Sequence, residues 1–259
     1  MEPSVFQGSY PVIRKVACAK QTFDFTIHCP DIAKAAQAGQ FVHVKADSFT
    51  LRRPISICQI DSKKGNIRLV MEVRGDGTAQ IAQTPEGGVL DVMGPLGHGF
   101  QLLDPCETAI VVGGGIGVPP MLQTASHYGK NAAAILGFRT ASAAILEEDF
   151  RNAGCQVELC TDDGIKGKKG FVTQALKEYL ERSKPGIIYA CGPLPMLKGV
   201  AALAKEYGVR CQVSMEERMG CGIGACLVCA CKTRKPNGEV GFSHVCKNGP
   251  VFEAEEVVF

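Results

Sequence analysis

Ile110-Val-Val-Gly-Gly-Gly-Ile-Gly-Val-Pro-Pro120 is an apolar run that enters a glycine-rich turn and continues into a segment that begins with proline. Glycines at such a turn let the N–H groups at the start of a helix approach a pyrophosphate, and proline suits the first turn of a helix. Pro119 stands where a third glycine would matter, so the stretch alone is a weak dinucleotide fingerprint, and an ordinary strand-to-helix turn stays open. Either interpretation predicts a strand–turn–helix unit here.

The chain around and beyond this turn alternates between apolar strands and helical segments. Strands are predicted at 108–112, 133–138, 156–160, 187–191 and 210–213, and helices at 121–128, 143–151, 171–182 and 195–207. Those strands that are solid runs of Ile, Val and Ala indicate burial on both faces and hence a doubly wound parallel sheet with helices on either side.

Two strand ends in this sheet predict a binding site, because ligands gather at the carboxyl ends of parallel strands. We predict a nicotinamide dinucleotide site made by Gly113, Gly114, Gly115, Gly117, Cys191, Gly192 and Pro193. Cys191 would then lie near the nicotinamide, although a buried thiol at a strand end explains it about equally well.

The first hundred residues have a different pattern, with short strands separated by turns. Segments 12–17, 22–27, 41–45, 55–60 and 67–73 are rich in β-branched and aromatic residues, which predicts an antiparallel barrel. The pattern changes near Asp104, and the strand–helix alternation ends after Val213. We therefore predict three domains, at residues 1–103, 104–213 and 214–259.

Two segments of the barrel could bind phosphate or a planar ring. Leu51-Arg52-Arg53-Pro54-Ile55-Ser56 offers two guanidinium groups and a hydroxyl at the start of a strand, and an arginine fork suits a diphosphate. Gly75-Asp-Gly77-Thr78 is a second candidate turn. Each segment alone is more often an ordinary surface turn.

Cys221-Gly-Ile-Gly-Ala-Cys226-Leu-Val-Cys229, followed by Cys246, has the C-x4-C-x2-C spacing and distant fourth cysteine of a plant-type [2Fe–2S] centre. Gly222 and Gly224 fit a loop that needs positive φ and N–H groups aimed at sulfur. Structural zinc is the alternative, but zinc ribbons usually pair two short knuckles. Cys231 is an additional possible ligand, interpreted as a small buried thiol because the spacing is complete without it.

Composition excludes several classes of function. The 259 residues carry a net charge of +2 with no long basic block, so we expect no nucleic-acid partner. No apolar stretch reaches the length of about 18 residues that a membrane helix needs, and the first residues, Met1-Glu-Pro-Ser-Val, lack the pattern of a signal peptide. Most of the thirteen cysteines lie in apolar runs, where a reduced thiol behaves as a small hydrophobic residue. We therefore expect the chain in the cytoplasm, where thiols stay reduced.

In their order along the chain, these motifs resemble the ferredoxin reductase-like flavoproteins. The residues are Arg53-Pro-Ile-Ser56, Gly77-Thr78, Gly94-Pro-Leu-Gly-His-Gly-Phe100, the two glycine turns of the sheet and the cysteine loop. Because the cysteine loop follows the nucleotide domain, the chain most resembles the electron-transfer subunits of NAD-dependent (class 1B) dihydroorotate dehydrogenases. The resemblance implies an FAD-binding barrel, an NAD-binding domain and a [2Fe–2S] module.

The resemblance also implies the binding residues. The FAD residues would be Arg53, Pro54, Ile55, Ser56, Val70, Met71, Glu72, Gly77 and Thr78, and the cluster ligands Cys221, Cys226, Cys229 and Cys246. Ile55 replaces the aromatic residue of the wider family, so stacking on the flavin is expected from elsewhere. Arg139, near the end of the second strand of the sheet, keeps NADP open as an alternative to NAD.

The resemblance further implies a separate FMN-containing catalytic subunit, with two copies of each chain in a heterotetramer and the cysteine loop near the interface. No residue of this chain is then expected to perform acid–base catalysis on orotate. Two alternatives stay open: a ferredoxin or sulfide-type NAD(P)H oxidoreductase subunit with another partner, and a zinc-bearing nucleotide-binding protein without redox activity.

Overall fold

The chain is described over residues 5–259 by a computed structural model. The first four residues, which contribute to the expectation of no signal peptide, lie outside that range. The first six strands are β1 (Phe6–Ala19), β2 (Thr22–His28), β3 (Phe41–Val44), β4 (Arg53–Asp61), β5 (Asn66–Glu72) and β6 (Val89–Leu96). They are antiparallel and close a barrel in the order β1-β2-β5-β4-β3-β6. The barrel domain also contains α1 (Pro30–Ala35) and α2 (Asp76–Gln83).

A second sheet of seven strands follows, made of β7 (Ala109–Gly114), β8 (Ala132–Phe138), β9 (Gln156–Thr161), β10 (Lys168–Lys169), β11 (Ile187–Cys191), β12 (Arg210–Ser214) and β15 (Val251–Glu253). Their order in the sheet is β10-β9-β8-β7-β11-β12-β15. The helices are α3 (Met121–Tyr128), α4 (Glu147–Asn152), α5 (Val172–Arg182) and α6 (Leu194–Glu206). The central β7 is buried at every residue, as expected for a strand covered on both faces.

The last part of the chain forms a hairpin of β13 (Ala230–Arg234) and β14 (Val240–His244), and then β15. β15 joins the edge of the large sheet antiparallel to β12, so this sheet is parallel except at that edge. One hydrophobic core contains Ile110 of the sheet, Phe41 of the barrel and Cys229 and Cys246 of the C-terminal segment. The cysteine-containing segment therefore packs on both other parts of the chain.

The predicted architecture of barrel, parallel sheet and C-terminal module is confirmed, with a few elements missed. Strands β6, β10 and β15 and helices α1 and α2 have no counterpart among the elements predicted from the sequence. Helix α4 begins at Glu147 rather than at 143, because residues 141–143 form a short 3₁₀ turn. The Gly75–Thr78 turn is the start of a helix: Gly75 is the N-cap of α2, and the Thr78 hydroxyl accepts a 2.9 Å hydrogen bond from the Arg74 N–H.

A charged cluster connects the barrel to the α/β part. The Arg68 guanidinium of β5 pairs at 2.9 Å with Asp24 of β2 on the outer face of the barrel, and it also pairs with Asp149 of α4. Gln123 of α3 accepts a 2.8 Å hydrogen bond from the Ile60 N–H. These contacts, together with the shared core, determine how the strand ends of the sheet face the barrel.

Candidate functional site

A cavity of about 1080 Å³ lies between the carboxyl ends of the sheet and the barrel. Its walls include Gly114, Gly115, Gly117, Gly192 and Pro193 from the two predicted glycine turns. Glu72 of the barrel lines the same cavity, so one predicted FAD residue lies opposite the predicted NAD residues. A cavity of this size suits a dinucleotide site at the edge where parallel strands end.

The four glycines of the first turn have different structural roles. A Cβ at Gly117 would lie 2.6 Å from the Cys191 carbonyl carbon, and one at Gly113 would lie 2.8 Å from the Val118 Cα, so both positions pack backbone against backbone. Gly115 has φ +55° and open space around it. Gly115 is therefore the position where the backbone is bare toward the cavity, whereas a Cβ at Gly114 would lie 2.5 Å from the Met196 sulfur.

Cys191 does not line the cavity. Its side chain is 1 % exposed behind the turn, and burial raises the pKa of its thiol to about 12. A protonated, enclosed thiol is a packing residue rather than a nucleophile. The Gly192-Pro193 backbone, and not the thiol, is what this strand end presents to the cavity.

An acidic residue that the sequence analysis missed lies at the mouth of the cavity. Asp162 follows β9 and lines the cavity with Arg139 and Thr140, which follow β8. Because β8 and β9 are parallel neighbours, with Phe138 opposite Thr161, the residues after both strands reach the same edge. This topology was the signal that could have revealed Asp162.

The predicted FAD residues of the barrel meet at its rim. Arg53, at the start of β4, lies over Gly77 near the N-terminus of α2, where a Cβ would be 2.5 Å from the guanidinium carbon. The same guanidinium lies 5.1 Å from the Phe49 ring centroid. A guanidinium fork beside the start of an eight-residue helix is a suitable anion site, and it fits a diphosphate.

Other predicted FAD residues point elsewhere. The Ile55 and Met71 side chains belong to the barrel core, and Val70 packs in the core shared with the sheet. These three can therefore offer a ligand only backbone groups. Pro54 and Ser56 alternate with Ile55 along β4 and lie outside the barrel core, with Pro54 exposed.

The predicted cluster cysteines converge in the C-terminal loop. The Cys229 and Cys246 sulfurs are 3.2 Å apart, and the Cys226 sulfur accepts a 3.4 Å hydrogen bond from the Cys221 N–H. The Gly224 N–H donates to the Cys246 sulfur at 3.1 Å, which connects the two pairs. Gly222 and Gly224 have φ of +76° and +81°, the positive values that the loop was predicted to need.

Backbone N–H groups surround one of these sulfurs. Burial raises the pKa of the Cys221 thiol, but hydrogen bonds from the N–H groups of Ile223, Cys226 and Ala225 outweigh burial and lower this pKa to about 6. These N–H groups thus stabilise a thiolate at Cys221, the form that binds iron, whereas burial raises the pKa of the Cys246 thiol to about 12. Across residues 5–259, no group of three His, Cys, Asp or Glu side chains is placed to hold one metal ion. The four thiols instead form two pairs, Cys221 with Cys226 and Cys229 with Cys246.

Cys231 lies outside this arrangement. Its side chain is 5 % exposed in the core beneath the loop, and burial raises the pKa of its thiol to about 11. It is the buried thiol that the spacing indicated.

His43 is a further site residue that was not predicted from the sequence. This residue of β3 is fully buried, and neither ring nitrogen has a hydrogen-bond partner among residues 5–259. Burial lowers the pKa of the imidazole to about 4, and Arg52 adds to this effect. A Cβ at Gly222 would lie 2.7 Å from its Cε1, so the ring touches the cysteine loop.

Comparisons with known families agree with this geometry. The iron–sulfur cluster binding domain of dihydroorotate dehydrogenase B matches residues 216–258, and an oxidoreductase NAD-binding domain matches residues 111–202. The first match decides against the alternative of a zinc-bearing protein. Within residues 5–259, no helix combines the length and apolar character needed to cross a membrane.

Curated relatives match almost the whole chain. The electron transfer subunit of dihydroorotate dehydrogenase B (NAD(+)) from Geobacillus kaustophilus is 42 % identical over 249 residues, covering 93 % of this chain and 94 % of the relative. The subunit of the same name from Bacillus cereus (strain B4264) is 39 % identical over 255 residues, covering 95 % and 96 %.

Solved structures share the fold. An NADH-dependent reduced ferredoxin-NADP oxidoreductase, described for flavin-based electron bifurcation, superposes with a TM-score of 0.84 at 31 % identity, covering 96 % of this chain and 89 % of that chain. Phthalate dioxygenase reductase superposes with a TM-score of 0.62 at 19 % identity, covering 92 % and 76 %, which shows the fold alone.

Taken together, the barrel rim, the strand-end cavity and the thiol loop fit the predicted cofactors, FAD, NAD and a [2Fe–2S] cluster, which are those of this oxidoreductase family. The chain belongs to the family of electron transfer subunits of NAD-dependent dihydroorotate dehydrogenase B.

Proposed function

We propose that this chain carries electrons between an FMN-containing dihydroorotate dehydrogenase subunit and NAD⁺, for pyrimidine biosynthesis. The observation that carries the proposal is the position of the cysteine loop: it packs against the outer face of the barrel, while Cys226 stays exposed at the surface. When bound, FAD supplies the exchange between one-electron and two-electron transfer, and the [2Fe–2S] cluster supplies single-electron transfer.

We assign the chain's own residues to three tasks. The FAD diphosphate is held by Arg53 and by the start of α2 at Gly77 and Thr78. Beside the flavin lie Pro54, Ser56 and Glu72. Backbone groups alone are contributed by Ile55, Val70 and Met71. Gly114, Gly115, Gly192 and Pro193 receive NAD, and Gly113, Gly117 and Cys191 keep the two turns packed. Cys221, Cys226, Cys229 and Cys246 hold the cluster. These tasks correspond to domains at 1–103, 104–213 and 214–259, although β15 joins the middle sheet.

The partner subunit is proposed to dock on the cysteine loop. Ile223, Leu227 and Val228 of this loop are large apolar side chains that are each more than half exposed. An apolar patch around an exposed ligand position is the surface expected where another protein approaches a cluster. From the family resemblance we expect two copies of each subunit in the complex. The mass of the purified complex measures this stoichiometry.

We also place the complex in the cytoplasm. All thirteen cysteines are free thiols in the structure, a state that suits a reducing compartment. Cell fractionation followed by immunodetection tests this localisation, and recovery in a secreted fraction would contradict it.

Co-purification with the native partner tests the function. The complex should reduce NAD⁺ with dihydroorotate, whereas this chain alone should oxidise NADH with an artificial acceptor and leave dihydroorotate unchanged. Val228→Glu should weaken partner binding by at least about tenfold through a buried charge. Val240→Glu is the matched control, since Val240 is 54 % exposed against 56 % for Val228 but lies at the far end of the hairpin.

Dihydroorotate turnover by the isolated chain would contradict the subunit assignment. A stoichiometric partner without FMN would favour the alternative of a ferredoxin or sulfide-type oxidoreductase subunit. Equal loss of binding in both valine variants would contradict docking at the loop.

We further propose that Asp162 favours NAD over NADP. A carboxylate at the end of a parallel strand accepts hydrogen bonds from ribose hydroxyls and repels a 2′-phosphate. Asp162→Asn should lower the ratio of kcat/KM for NADH to that for NADPH by about tenfold, since removing one charge contact changes the free energy by about 1.4 kcal/mol. Arg139→Ala, at the same cavity mouth, should not lower that ratio; a large fall in NADH use with Arg139→Ala alone would contradict the proposal.

A further inference from the structure

We propose that His43 is a positioning residue that donates a hydrogen bond to the bound [2Fe–2S] cluster and raises its reduction potential. The inference rests on the proposed ligand set and extends it to a residue outside the cysteine motif. It follows from the burial of the ring, its lack of partners, and its place between two sites.

The burial of His43 needs an explanation. Its side chain is 0 % exposed, and both ring nitrogens lack a partner in the part of the chain that the structure describes. Leaving a buried polar atom unsatisfied destabilises a fold, so an apolar residue of similar size would stabilise the apoprotein. The ring is therefore suited to a partner that the polypeptide does not itself provide.

The location of the ring identifies that partner. The Nδ1, Cε1 and Nε2 atoms would lie 2.8, 2.7 and 3.1 Å from a Cβ at Gly222, so the ring edge that carries both nitrogens faces the cysteine loop. Gly222 follows Cys221 directly and has φ +76°, which exposes its backbone to the ring. Any side chain at residue 222 would push the imidazole away from the loop.

The other neighbours of His43 place it beside the flavin site. His43 pairs with Pro54 and Phe41 pairs with Ser56 across β3 and β4, and residues directly opposite each other share a face of the sheet. Val42, between them, belongs to the barrel core, whereas Phe41 packs in the core that contains Cys229 and Cys246. The outer face of β3 thus connects the proposed flavin residues to the cluster loop, with His43 at the contact.

A neutral imidazole has one N–H donor. Reduction adds negative charge to an iron–sulfur cluster, so an N–H donor to sulfur stabilises the reduced form and raises the potential. Arg52, whose charge also acts on the imidazole, donates to the carbonyl oxygens of His43 and Asp91 and to the Asp91 carboxylate, so its hydrogen bonds go to the barrel and not to the loop.

The test compares three variants of the purified holoprotein by EPR-monitored redox titration. His43→Leu removes the donor at similar volume and should lower the cluster potential by at least 59 mV, which is a tenfold change for one electron. His43→Gln keeps an N–H donor and should stay closer to the wild-type value. Val42→Ala perturbs the same strand from the barrel side and should leave the cluster potential unchanged, and the FAD potential should not move in His43→Leu.

Pulsed EPR on reduced protein with ¹⁵N-labelled histidine adds a second measurement. A nitrogen coupling that is present in the wild type and absent in His43→Leu supports the hydrogen bond. Loss of the cluster in His43→Leu but not in His43→Gln also supports a donor. Three results would overturn it: an unchanged cluster potential in His43→Leu, an equal shift in Val42→Ala, or a shift of the FAD potential alone.

The EPR signal of the wild-type protein distinguishes a failure of the proposed function from a failure of the His43 proposal. If wild-type protein reconstituted with iron and sulfide gave no [2Fe–2S] EPR signal, the ligand set itself would fall, and His43 with it. If the signal is present and only the His43 comparison fails, the ligand set survives.

Discussion

Cys226→Ala is expected to remove the cluster and to stop dihydroorotate-dependent reduction of NAD⁺ by the complex, with a loss of at least about 100-fold. A plant-type centre needs four thiolates, and Cys226 is the most exposed of the four proposed ligands. Oxidation of NADH with an artificial acceptor should persist, because the barrel and the cavity remain intact. Visible absorption, EPR and the two activities measure this result.

Cys231→Ala is the matched control for that experiment. Cys231 is two residues from Cys229 and packs in the same core, but no hydrogen bond among residues 5–259 connects its thiol to the four proposed ligand sulfurs. This variant should retain the cluster spectrum and the full activity of the complex. Loss of the cluster spectrum in Cys231→Ala, together with its retention in Cys226→Ala, would contradict the assigned ligands.

Gly77→Ala is expected to yield protein that has lost most of its FAD, with an affinity for added FAD at least about tenfold lower, or about 1.4 kcal/mol. The added Cβ would lie 2.5 Å from the Arg53 guanidinium carbon, so the guanidinium must leave the start of α2. The proposed diphosphate site then loses both the Arg53 guanidinium and the unobstructed backbone at Gly77. Flavin absorbance per chain and fluorescence titration with FAD measure the loss.

Gly75→Ala separates this effect from a change in helix α2 itself. A Cβ at Gly75 meets nothing within 4 Å, and its φ of 178° is extended backbone that alanine adopts freely. We expect normal FAD content in this variant and similar thermal unfolding in both. Equal flavin loss in the two variants would place the diphosphate elsewhere.

Local sequence signals predicted most of the architecture. The runs that became β7, β8 and β11 were located to within one or two residues, because strands buried on both faces are continuous apolar segments. Strand β6 was missed, since its Gly-Pro dipeptide resembles a turn, and α2 was missed because its glycines resemble a loop. The strand β15 is only three residues long and pairs with β12 from a distance in sequence, so no local pattern could reveal it.

The sequence by itself determined which groups this protein can bind: cysteine spacing predicts iron–sulfur ligands, and glycine turns predict phosphate sites, because both depend on residue types at short separations. Only the tertiary structure decided which residues meet. It turned Cys191 away from the cavity, brought Asp162 beside Arg139, and buried His43 against Gly222. Such contacts join residues far apart in sequence, and strand pairing and domain packing, rather than local residue pattern, bring them together.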